Sequence, residues 1–289
     1  MRSRRNYKAC RLCHREVPLC QSHIIPDFFW KALETPIETG SHGQTQPHVM
    51  ALSPGASFPH GIITKNDLLK QVGVKERLLC VECEGKFSRW EAYARRFLYG
   101  TSPGKIEKID PGIPDHVNPN PVIEGARRVR AEYKPFKLFL LSLLWRVSVS
   151  ETLFCRPVNI GRFEKNLRRM LLNENPGGQF DYPCMLTDLR LPNSTMMDYI
   201  ERPSSGFVDG IDIVRLIMGG YIWWFMYSGA PKSSPYTETF MNDNGDFLVL
   251  IDSSGMVAMQ FRDALVQAGR ILPQFFHDMP KSERKKGGH

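Results

Sequence analysis

Two Cys-x-x-Cys pairs, Cys10-Arg11-Leu12-Cys13 and Cys80-Val81-Glu82-Cys83, flank the segment Ser22-His23-Ile24-Ile25-Pro26. Each Cys-x-x-Cys turn sets two sulfurs on one side of a metal. Two such turns complete the tetrahedral thiolate shell that Zn²⁺ favours. Cys10, Cys13, Cys80 and Cys83 are therefore the expected ligands of a structural zinc, with His14 and Cys20 as substitute ligands and an incidental pair as the plainer reading. His23 is the residue type that moves protons near neutral pH. Glu84 and Glu91 follow the second pair at a spacing that shares one helical face. Carboxylates of this kind, together with Glu76, are ligands for a hard divalent ion such as Mg²⁺.

Each of these residues also has a plainer reading. His23 can hydrogen-bond the backbone or ligate zinc. Glu84 falls in the first turn of a helix, where the macrodipole favours a carboxylate without any metal. Glu91 and Arg95 form an i,i+4 pair of the ordinary surface type. Arg127, Arg128 and Arg130, like Arg168 and Arg169, read first as solvated faces and second as phosphate contacts.

The elements that must position these residues follow from pattern. Val17 to Ile25 is rich in β-branched residues and reads as extended. Pro26 ends it, because the residue before a proline is pushed away from the helical region. Asp27 caps a short helix through Phe28, Phe29, Trp30, Ala32 and Leu33. Residues 34–62 read as a long loop. A helix runs from Cys83, with Phe87, Trp90, Ala94, Phe97 and Leu98 on its apolar face, and stops at Gly100. Residues 101–122 hold five prolines and two glycines and read as a linker. Beyond it, Pro135 to Val149 is apolar on every side, the pattern of a buried helix. Arg162 to Leu172 is an amphipathic basic helix. Gly210 to Gly229 reads as buried strands broken at Gly219-Gly220. Phe247 to Ile251 and Met256 to Phe261 read as a hairpin, followed by a helix over Phe261–Leu272 and a basic tail from Ser282. The expected architecture is α+β: a zinc-bound domain over 1–100, the linker, and a larger α+β domain over 123–289 with a buried helix and antiparallel strands.

The net charge is +8, and its distribution is uneven. The first 100 residues carry 15 Lys and Arg against 9 Asp and Glu, and the remaining 189 carry 23 against 21. The positive excess thus accompanies the cysteine pairs and points to an anionic partner, with nucleic acid the commonest for a zinc module; a generic basic surface is the bland alternative. Seven cysteines, three of them scattered at 20, 155 and 184, are not a disulfide framework and suit a reducing cytoplasm. The basic N-terminus has no apolar stretch behind it and is not read as a secretory signal. The apolar uncharged run from Leu216 to Ala230 is shorter than the roughly 18 residues of a spanning helix, so no membrane partner is expected. The chain lacks a phosphate-cradling glycine loop and a nucleophile elbow, and no internal repeat is visible.

These motifs resemble the HNH endonucleases that carry a zinc-bound, treble-clef ββα-metal core. Their pattern runs Cys-x-x-Cys, Asp-His-Ile-Ile-Pro, an Asn, and Leu-Cys-x-x-Cys-His at a helix start. The chain is also similar to bacterial proteins with Cys-x-x-Cys, Ser-His-Ile-Ile-Pro and Leu-Leu-Cys-x-x-Cys-Glu-x-x-Phe-Ser, matched here by Leu78 to Glu84, Phe87 and Ser88. The resemblance covers about the first 100 residues. It implies a DNA phosphodiester hydrolase in which His23 is the general base and a divalent ion, commonly Mg²⁺, sits beside it. Glu84 stands where the family has a metal-binding His, and Ser22 where it has Asp. The Asn is unmatched, with Lys75 and Glu76 in its region. The expected function is an HNH-like endonuclease using His23, Glu84 and Glu91. The alternative is a non-catalytic, zinc-stabilised module that binds nucleic acid or protein. A protein partner or a second copy would be met through residues 123–289.

Overall fold

The computed structural model describes residues 8–31, 73–100, 125–189 and 200–251. The expected loop over 34–62, the linker over 101–122, the strand from Met256, the following helix and the basic tail lie outside them.

The first Cys-x-x-Cys pair forms the loop of a small hairpin. Strands β1 (Lys8–Ala9) and β2 (Glu16–Val17) pair antiparallel, and the loop closes through the His14 amide on the Cys10 carbonyl at 2.8 Å. His14 takes the positive φ of 61° that this tight reversal requires. Strand β3 (Leu19–His23) then pairs antiparallel with β4 (Lys75–Cys80), setting Ser22 opposite Glu76 and His23 opposite Lys75. Helix α1 (Asp27–Lys31) follows β3, with Asp27 as its first residue rather than a residue before it.

Helix α2 (Val81–Tyr99) starts directly after β4 and ends at Gly100, whose φ of 74° suits glycine. Its buried residues include Phe87, Trp90, Ala94 and Leu98, as the periodicity predicts. Glu82 and Glu84 in the first turn and Arg96 in the last complement the helix dipole.

The remaining described residues form a six-stranded sheet with helices packed on it. The strands are β5 (Ala126–Arg130), β6 (Cys184–Asp188), β7 (Ser204–Val208), β8 (Ile211–Met218), β9 (Tyr221–Met226) and β10 (Asp246–Ile251). Their spatial order is β5-β10-β6-β9-β8-β7. Every pair is antiparallel except β10 with β6, which is parallel, so the sheet is mixed rather than purely antiparallel. Strand β10 lies between β5 and β6. Strand β5, with its three arginines, gives no apolar alternation, which is why its sequence reads as a charged face.

Helix α3 (Tyr133–Val149) is the buried helix expected from its apolar run, begun two residues before Pro135. Ring contacts surround it: Phe136 meets Phe97 of α2 and Phe247 of β10, Phe139 meets Trp223 of β9, and Trp145 meets Phe87 of α2. Trp145 also donates to Glu164 of α4 (Phe163–Leu172) at 2.8 Å. One continuous buried cluster runs from Cys10 and Leu12 through α2 and α3 to Val249. Polar ties follow the same path. Arg168 Nη1 donates to the Leu12 carbonyl at 2.7 Å, and Arg11 Nη2 to the Val149 carbonyl at 3.2 Å.

Gly219 and Gly220 join β8 to β9 with φ of 59° and 78°, the two positive values of a type I′ hairpin turn. A Cβ at Gly219 would lie 2.0 Å from the Tyr99 hydroxyl and 2.6 Å from the Phe29 ring. Strain and overpacking of this kind each cost about 1–3 kcal/mol. Gly219→Ala is expected to lower the urea midpoint accordingly, and an unchanged midpoint would contradict this packing.

Candidate metal centre and the adjoining polar site

The four paired cysteines converge, with sulfur atoms all within 4.8 Å of one another. A tetrahedron of Zn–S bonds of about 2.3 Å has edges of about 3.8 Å. The Cys13 and Cys80 sulfurs stand 3.8 Å apart. Donor type, number and spacing thus fit a metal such as Zn²⁺. His14 and Cys20 are not in the group. Cys80 immediately precedes α2 and Cys83 lies in its first turn, so two sulfurs meet the positive end of the helix dipole. The Cys80 amide donates to Cys10 Sγ at 3.3 Å. Arg15 reaches Cys13 Sγ at 3.5 Å and Cys80 Sγ at 3.7 Å while pairing with Glu82. These donors offset the excess negative charge that four thiolates place around a divalent ion. Hydrogen bonding from the Cys83 thiol, with help from nearby amides, outweighs burial and holds Cys10 well below the usual thiol range, at about 4.

A polar site adjoins the sulfurs, where β3, α1, α2 and α3 meet. Ser22 is fully buried, and its hydroxyl donates to Glu84 Oε2 at 2.5 Å. Burial raises the Glu84 carboxyl above its ordinary range, against the opposing Ser22 bond. His23 Nε2 lies 3.3 Å from Asp27 Oδ1, within ion-pair distance but out of line for a hydrogen bond. Burial lowers the His23 pKa. Asp27 opposes that shift, Lys75 adds to it, Glu91 opposes it and Arg146 adds to it. Burial therefore favours the neutral form of His23.

Glu91 points inward to Arg146, with 2.5 Å between Oε1 and Nη1, rather than along the helix to Arg95. The same Nη1 donates to the His23 carbonyl at 2.7 Å. Glu76 accepts from the Ser150 hydroxyl at 2.8 Å and belongs to the joint between β4 and the end of α3. Among the described residues, no second group of His, Cys, Asp and Glu is arranged like the four cysteines.

Two of the arginines differ from the solvated faces read in the sequence. Arg127 is buried and paired with Asp188 at 2.8 Å. Arg168 binds the first cysteine loop through the Leu12 carbonyl, whereas Arg130, though paired with Asp246, is 74% exposed and agrees with the solvated-face reading. Arg146 is the residue that motif reading missed. Its signal was a charge inside a largely apolar helix, which it shares with the equally buried Lys137, since buried charges are almost always paired.

No helix among the described residues is long and apolar enough to cross a membrane. Compared with protein-family models, curated proteins and solved structures, the chain shows no match.

Proposed function

We propose that the chain is a divalent-metal-dependent endonuclease of HNH-like, treble-clef type that hydrolyses DNA phosphodiester bonds. The observation that carries this reading is the direct bond from Ser22 on β3 to Glu84 on α2, one residue before His23 and one residue after the metal-type cysteine Cys83. The bond supports the reading because it ties the strand that carries His23 to the helix turn that carries Glu84 and Cys83. In this reading His23, neutral because it is buried, takes the proton of the water that attacks phosphorus. Glu84 holds a divalent ion such as Mg²⁺, an ion commonly bound by one or two carboxylates with water completing its shell. Once bound, that ion supplies positive charge for the phosphate and the leaving oxygen. Ser22 fixes the Glu84 carboxylate. The basic excess of the first 100 residues favours the DNA backbone.

Plasmid incubated with the zinc-loaded protein and Mg²⁺ is expected to be nicked, with His23→Ala roughly 10²- to 10⁴-fold slower, the usual contribution of a positioned base. Equal nicking by the variant, or none by the wild type with any divalent ion, sinks the reading. The pH profile gives a second check. A base acts in its deprotonated form, and burial lowers the His23 pKa. The rising limb of the nicking rate should therefore have its midpoint below the ordinary histidine value of about 6.5. A midpoint at or above that value contradicts this role for His23.

The buried Glu91–Arg146 pair favours a second reading, a zinc-stabilised module that binds nucleic acid or protein without catalysis. Nucleic-acid binding would then survive His23→Ala and weaken steeply with salt, whereas protein binding would depend little on it.

A further inference from the structure

Arg146 lies outside both cysteine motifs, yet the polar site is built around it. It comes from α3, and its side chain is 1% exposed. Its Nη1 holds the His23 carbonyl and Glu91, and its Nε donates to the Ser142 carbonyl at 3.4 Å. Its guanidinium carbon stands 5.4 Å from the centre of the Phe87 ring. Its Nη2 is buried without a hydrogen-bond partner, as is His23 Nε2.

A guanidinium this deep cannot serve as a surface phosphate contact, so its role lies within the fold. One effect falls on His23. The bond to the His23 carbonyl fixes the end of β3, from which the imidazole comes to 3.3 Å from Asp27. The other effect falls on Glu91. Its carboxylate already faces a full positive charge at contact distance. A divalent ion using Glu91 would sit against that charge, and repulsion in a poorly solvated site is strong.

We propose that Arg146 is a positioning residue acting through His23, and that Glu91 is its counter-ion rather than a ligand for the divalent ion. The proposal rests on the nuclease reading of His23 and Glu84, and it separates two carboxylates that share one helical face.

The test compares zinc-loaded, full-length wild type with Glu91→Gln, Glu84→Gln, Arg146→Lys and Arg146→Gln. Mn²⁺ binding is followed by electron paramagnetic resonance, and plasmid nicking is titrated with Mg²⁺. Glu91→Gln should bind Mn²⁺ as the wild type does and keep the same half-saturating Mg²⁺. Its nicking rate should fall roughly 10- to 100-fold, the scale of loss when a reacting group is displaced by about 1 Å. Glu84→Gln should instead bind Mn²⁺ at least tenfold more weakly (about 1.4 kcal/mol). Arg146→Lys, which keeps the charge but not the fork, should recover part of the rate lost in Arg146→Gln. If Arg146→Gln does not fold, Arg146→Lys and Glu91→Gln decide the matter. Weaker Mn²⁺ binding or a tenfold higher Mg²⁺ requirement in Glu91→Gln overturns the counter-ion assignment. Wild-type nicking rates in both Glu91→Gln and Arg146→Lys overturn the positioning role. A wild type that binds no Mn²⁺ and nicks no plasmid refutes the nuclease reading instead. The clamp is then judged from the His23 imidazole resonances, which move in Glu91→Gln and Arg146→Lys if Arg146 positions the ring and stay fixed if it does not.

Discussion

Stripping the metal with a strong chelator is expected to unfold the cysteine-bearing unit and loosen the helices packed on it. A structural zinc contributes roughly 10–16 kcal/mol in small metal-folded units. Whole domains are stable by only about 5–15 kcal/mol. Strands β1 to β4 are short, and Cys10, Cys80 and Cys83 are themselves part of their buried core. The effect should not stop at α2, because Leu12 lies in the same buried cluster as Trp145 and Leu167. Arg168, Arg11 and Arg146 all donate to carbonyls along this joint. Chelation should therefore remove the near-ultraviolet dichroism of the buried tryptophans together with helical signal, and added Zn²⁺ should restore both. Cys83→Ser should purify with sub-stoichiometric metal and melt far below the wild type. Cys13→Ser should be milder, because Cys13 is only partly buried. A chelated, metal-free chain that keeps its tryptophan signal would show that the four cysteines do not hold the fold.

The cysteines were legible because their information is local: three-residue spacing, and a helix start at the second pair. The apolar face of α2 and the buried run of α3 were legible for the same reason, since periodicity lies within the segment. The break at Gly219-Gly220 was legible through the residue type that tolerates positive φ, although the pairing of β8 with β9 across it was not. Strand β5 was not legible, because its partner β10 lies more than 100 residues away and its arginines hide a strand pattern. Arg127 could not be recognised as buried before Asp188, 61 residues on, was seen beside it. Arg146 is the same case at the site. Helix periodicity says that α3 is buried, but not that its arginine faces Glu91 and the His23 carbonyl.

Arg146→Ala is expected to be the most damaging single substitution outside the cysteines. Removing one member of a buried ion pair leaves the other uncompensated, at a cost of about 3–5 kcal/mol. Glu91 is 20% exposed, so part of that cost is relieved by solvent, and the lower end applies to the charge itself. Two further losses add to it. The His23 carbonyl loses its donor, at about 1–3 kcal/mol for an unsatisfied buried group. The side chain also leaves a void beside Phe87. The total is comparable to the stability of a marginal domain, so Arg146→Ala should be largely unfolded or strongly shifted in urea. A charge-balanced control separates these contributions. Arg146→Met combined with Glu91→Gln removes both charges and keeps most of the volume, and it should be more stable than Arg146→Met alone. If the two behave alike, the charge pairing contributes little, and Arg146 matters for packing and for the His23 carbonyl. If the double variant recovers stability but not the His23 environment, Arg146 is needed to position a site whose fold can be held together without it.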